Sequence, residues 1–134
     1  MTTTGSHRIA WQRGNFAVYA GITLSVKSAA GVLPVGSVHG LDTVAEQWRI
    51  GVMFGLSLLR ESSPRKLNFQ NVPVTITSFL GQPCDTTLMA VAFVTFHAAA
   101  KALSVDVSEV FTFDDSIGAF QISYHDVRSL GEQR

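Results

Sequence analysis

Val72-Pro73-Val74-Thr75-Ile76-Thr77-Ser78-Phe79-Leu80-Gly81-Gln82-Pro83-Cys84-Asp85-Thr86-Thr87 leads from an alternating strand, through a Gly/Pro loop, into a long apolar helix. The strand spans Asn68 to Leu80, with Val72, Val74 and Ile76 on one face and Thr75, Thr77 and Phe79 on the other. Pro73 has no N–H to give to a neighbouring strand, which predicts an edge position or a bulge there. Asp85 or Thr86 is the expected N-cap of a helix reaching Leu103 through Leu88, Met89, Ala92, Phe93, Phe96 and Ala99. That helix is apolar on almost every side, so it is central among neighbours or part of a subunit contact.

Upstream, a short strand from His7 to Arg13 turns at Arg13-Gly14-Asn15 into a clearer one, where Phe16, Val18, Ala20, Ile22, Leu24 and Val26 alternate with milder residues. Ala29 to Gly40 carries Gly31, Pro34, Gly36 and Gly40 and reads as a crossover loop. Thr43 and Glu46 form a capping-box pattern for a helix through Val44, Trp48, Val52, Leu56 and Leu59, ending near Arg60. Gly51 and Gly55 on it would each cost roughly 1 kcal/mol relative to alanine, for which close approach to the sheet is the expected compensation. Downstream, Val107–Phe113 and Gly118–Tyr124 read as a hairpin about Asp114-Asp115-Ser116. Two strands, helix, strand, helix, two strands predict an α+β fold, a two-layer sandwich with a mostly antiparallel sheet and both helices on one face. The 134 residues fit a single domain with its core over 7–124, and residues 1–6 and 125–134 read as frayed termini.

Charged residues make up 15% of the chain against about 25% in ordinary domains, a thin polar surface that favours a homo-oligomer. Basic and acidic residues balance at 10 each, so no summed positive field draws the chain to a phosphate backbone, and nucleic acid is not the expected partner. The apolar run from Leu88 to Ala100 is broken by Thr95 and His97 and falls short of the about 20 residues a membrane helix needs, so no membrane role is expected. One cysteine cannot form an internal disulfide and no signal-like segment opens the chain, which points to a reducing cytoplasm.

Three stretches resemble domain IV of translation elongation factor G, a left-handed split β-α-β fold shared with a ribosomal protein family. They are Trp11-Gln12-Arg13-Gly14-Asn15-Phe16 leading into the long strand, the helix from Thr43 to Arg60, and Val72 through Ala92. The resemblance covers about Arg8 to Leu103 and implies a tip of two loops, here Arg13-Gly14-Asn15 and Gly81 to Asp85, that meets a partner. This chain departs from the family in carrying Cys84-Asp85 where the tip often has a histidine and an acidic residue, in its shorter first loop, and in holding no P-loop. The resemblance therefore implies a stand-alone binding or assembly module without GTPase activity, using Arg13, Asn15, Gln82, Cys84 and Asp85 or a helix face to contact a protein partner.

The alternative is a small enzyme with Cys84 as nucleophile, activated at the following helix N-terminus, and His39 in the crossover loop as base. Against it, Asp85 opposes a neighbouring thiolate, and a lone cysteine is commonly a small hydrophobe. His97, four residues before Lys101, reads as a hydrogen-bonded or solvent-edge side chain. His7, His39, His97 and His125 lack close ligand spacing, so no metal site is expected, and nothing in the chain indicates a cofactor. Arg60, Arg65 and Lys66 read as a solvated helix end, and Phe93, Phe96, Phe111, Phe113 and Phe120 as core.

Overall fold

The first two strands, β1 (Thr2–Arg13) and β2 (Phe16–Lys27), pair antiparallel along their whole length, from Thr2 opposite Lys27 to Arg13 opposite Phe16. The structure, a computed structural model, describes residues 2–27, 38–62, 73–107 and 109–123. Residues 29–37 of the expected crossover, Arg65 and Lys66, the expected strand start at 68–72 and the tail from 125 lie outside them. The main sheet has the order β1-β2-β4-β3, with β3 (Val38–His39) and β4 (Val74–Gly81). Three long strands are antiparallel neighbours, and the short β3 runs parallel to β4. Helices α1 (Arg49–Ser62) and α2 (Leu88–Leu103), with a separate hairpin of β5 (Phe111–Asp114) and β6 (Ala119–Ile122), complete an α+β fold.

Several boundaries differ from the sequence expectation, each for a tertiary reason. Thr2 to Ser6, read as a frayed end, are strand, because Thr23 to Lys27 offer a ladder and α2 covers Gly5. A Cβ on Gly5 would lie 2.0 Å from the carbonyl oxygen of Ala98, so glycine is what lets α2 settle on β1. Val38 and His39, read as loop, are a strand because β4 offers a free edge at Val74 and Thr75. The capping box does not form: Leu41–Thr43 and Glu46–Trp48 are short 3₁₀ turns, and the α-helix starts at Arg49. Trp48 is buried there against Phe79, ring centroids 5.6 Å apart, and this contact fixes the approach to α1.

The irregularity in β4 falls at Thr77 rather than Pro73: Ser78 pairs with Thr23 and Ile76 with Leu24, leaving Thr77 as the extra residue. The shift turns Phe79 onto the helix side, against Trp48, instead of the side expected from simple alternation. Gly51 and Gly55 do compensate by close approach, but to α2 and not to the sheet. Added Cβ atoms there would lie 2.8 Å from the Leu88 oxygen and 2.5 Å from the Ala92 oxygen. Thr87, one residue beyond the expected caps, is the N-cap of α2, its Oγ1 accepting from the Ala90 N–H at 3.1 Å.

The core follows from this arrangement. Ala20, Ile22, Leu24 and Val26 of β2 and Val74 and Ile76 of β4 face Val52, Leu56 and Leu59 of α1 and Val91, Val94 and Phe96 of α2. Helix α2 has β1 and β2 on one side, α1 on another and the β5–β6 hairpin on a third, which explains its apolar circumference. Among the described residues the hairpin joins no strand of the main sheet, and it docks through aromatic rings, with Phe93 5.3 Å from Phe111 and 5.2 Å from Phe120.

Candidate functional site

One end of the sheet gathers most of the residues singled out from sequence. Gly14, at φ 58°, supplies the left-handed backbone that the two-residue Gly14-Asn15 turn needs between Arg13 and Phe16. Asn15 is exposed, and Phe16 beside it is 77% exposed. Arg13 is exposed as well, and its guanidinium donates to the Ser116 carbonyl oxygen and lies 5.7 Å over the Trp11 ring. Trp11 in turn donates from Nε1 to the Asp115 oxygen at 2.9 Å. The β5–β6 turn, with Ile117 63% exposed, is thereby fixed beside the β1–β2 turn.

The loop after β4 is held at the same end. The Tyr19 N–H donates to the Asp85 oxygen at 3.0 Å, and the Thr86 hydroxyl donates to the Tyr19 oxygen while accepting from the Gln82 N–H at 2.8 Å. Gln82 and Asp85 line a cavity of about 300 Å³ with Ala10, Gln12, Ala17 and Tyr19. Cys84 is exposed at the apex of this loop. His39 is elsewhere: it pairs with Thr75, six residues before the end of β4 at Gly81, so roughly 20 Å of strand separates it from the Cys84 loop. Nucleophile and base of the enzymatic alternative therefore sit toward opposite ends of β4. Asp114 caps its own turn, accepting from the Ser116 N–H at 3.0 Å and hydroxyl at 2.6 Å, which holds its carboxyl below the usual range.

Sequence reasoning missed a cluster on the flank of β1. His7, on the helix side of β1, stacks 4.9 Å from His97 and 5.4 Å from Phe93. Lys101 Nζ lies 2.8 Å from His7 Nδ1 and donates to the Ser6 oxygen at 3.1 Å. Because an ammonium only donates, His7 Nδ1 must accept, and the ring is neutral. Burial, then the Lys101 cation and His97, push the His7 imidazole down to about 4. His97 is also lowered by burial, opposed by its 2.6 Å bond to the Phe111 oxygen, to which Nε2 donates. The His97/Lys101 spacing was visible in sequence. His7 was not linked to it because β1's pairing with α2 is non-local.

Among the described residues no group of three or more His, Cys, Asp or Glu side chains could hold a metal ion, and no helix is long and apolar enough to cross a membrane. No family model matches the sequence, and no curated protein matches it. Solved structures do. A protein of Thermus thermophilus is similar in structure with a TM-score of 0.58 at 12% identity, over 77% of this chain and 16% of that one. The fold is thus one portion of a much longer polypeptide there, and at that identity the likeness is one of fold.

Proposed function

We propose that the chain is a binding module of the domain-IV type, without GTPase activity, that meets a protein partner through the end bearing Arg13, Asn15, Gln82, Cys84 and Asp85. The observation that carries this reading is the exposure of Phe16 and Ile117, 77% and 63%, on two turns pinned together by the Arg13 and Trp11 hydrogen bonds. Large apolar side chains on rigid turns, rimmed by polar groups, bind at little ordering cost. The likeness to domain IV of elongation factor G belongs with this proposal, supported by the order of strand, loop and helix around Gly81. Self-association through α1 is part of the same reading, supported by Ile50 and Phe54, one turn apart and 67% and 39% exposed.

Cys84 is the sole cysteine and stands exposed at this end, so a maleimide photocrosslinker attached to it reports contacts there. Adducts formed in cell extract and lost in Phe16→Asp are expected; adducts indifferent to that substitution, or none, refute the proposal. For self-association, light scattering is expected to give a mass above 14.5 kDa that falls on Ile50→Glu. A native mass of 14.5 kDa at micromolar concentration removes that part.

A further inference from the structure

The sheet face without helices carries a second cavity, about 420 Å³, lined by Ser6, Arg8, Gly21, Thr23, Ser78 and Lys101 among others. We propose that this cavity binds a phosphate group, with Arg8 and Lys101 as its cationic walls and the Ser78 hydroxyl and one hydroxyl of the Ser6–Thr23 pair as further donors. It goes beyond the partner-binding reading, and its Arg8 wall borders the neighbouring cavity that Tyr19 lines with Gln82 and Asp85.

Four observations carry it. First, the described lining holds two cations and no carboxylate, in a chain whose charges otherwise balance. Second, neither cation is neutralised by what holds it. The Arg8 guanidinium lies 5.7 Å over the Tyr19 ring, and Lys101 donates to a backbone oxygen and to a neutral imidazole, leaving one ammonium proton free. Third, the Ser6 and Thr23 hydroxyls share one hydrogen bond at 2.9 Å, so one hydroxyl proton of the pair remains to donate. Fourth, Gly21 forms the floor, where a Cβ would touch Leu80 Cδ1 at 3.3 Å and Arg8 Cγ at 3.5 Å, so a side chain there would intrude on the cradle. A guanidinium fork binds two oxygens of one tetrahedral group, and a dianion balances both cations where a monocarboxylate balances one.

The test is an amide-resolved NMR titration of the intact chain with inorganic phosphate, with glycerol 3-phosphate, and with acetate at matched ionic strength. Saturable shifts confined to Ser6, Arg8, Gly21, Thr23 and Ser78 are expected with both phosphates. Equal affinity assigns the site to the phosphate group alone, and tighter binding of the ester assigns it to a phosphorylated molecule. Arg8 is exposed, so Arg8→Gln should keep the dispersed spectrum while weakening phosphate binding about tenfold or more. Linear shifts that never saturate, an equal response to acetate, or unchanged binding in Arg8→Gln would overturn the assignment.

Discussion

Strand β2 serves two faces under opposite rules. Toward the helices it presents Ala20, Ile22, Leu24 and Val26, none more than 3% exposed, and toward the open side Tyr19, Gly21, Thr23 and Ser25. The covered face is packed nearly backbone to backbone, with Gly5 of β1 set against the Ala98 carbonyl, so a single methyl group matters there. The open face meets solvent, hydroxyls and two shallow cavities, and its composition is free to serve binding. One strand can thus hold the fold with its even-numbered residues and offer chemistry with its odd ones, because successive side chains point to opposite sides.

The largest effect that tests this contrast is Phe96→Ala. Phe96 is fully buried among core rings and aliphatics, and its truncation should cost about 3–5 kcal/mol in urea unfolding. A cost of about 1 kcal/mol would mean that the covered face is not the source of stability.

Next comes a matched pair of glycines. Gly5→Ala forces α2 off β1 and should cost about 2–3 kcal/mol, since backbone stands in the way on the helix side. Gly21→Ala meets only side-chain atoms at 3.3 Å and beyond, and should cost less than about 1 kcal/mol. Equal costs would erase the distinction between the faces.

A smaller effect of opposite sign is expected at Thr95. Its hydroxyl is fully buried with no hydrogen-bond partner among the described residues, in the seam where Gly55 of α1 meets α2. Thr95→Val removes an unpaired polar group at constant shape and should raise stability by about 1 kcal/mol, read from the shift in urea midpoint. A loss of stability would show that the hydroxyl is satisfied in solution.

The smallest effect concerns the boundary between the faces. His7 and His97 are neutral in the folded protein, with imidazoles held below the ordinary 6.5, His7 at about 4. The unfolded chain takes up these protons first as pH falls, so the contribution of His7 is present above about 6.5 and lost between there and about 4, and that of His97 is likewise lost as pH falls below about 6.5. The thermal midpoint should therefore fall from about pH 7 to about pH 5, and less so in His7→Gln. An identical slope in that variant would locate the pH dependence elsewhere.

Legibility from sequence divides along the same lines. The turn at Gly14-Asn15, the alternation of β2, the end of α2 at Leu103 and the Asp114 turn were readable because each is set by neighbours in the chain. Of the proposed tip, the loops were identifiable, but the anchoring of Arg13 to Ser116, over a hundred positions away, was not. The same holds for His7 beside Lys101 and for the bulge at Thr77, which only the register with β2 reveals.

By itself the sequence determined the approximate positions of the long strands and of both helices, and that two helices and a mostly antiparallel sheet form an α+β fold, since hydrophobic periodicity is a local property of the chain. Only the tertiary structure decided that β1 reaches back to Thr2, that β5 and β6 stand as their own sheet, and that Gly51 and Gly55 admit α2 rather than the sheet. It also brought Arg8, Lys101 and three hydroxyls around one cavity. Each of these depends on which distant surfaces meet, and close packing settles that only once the whole chain has folded.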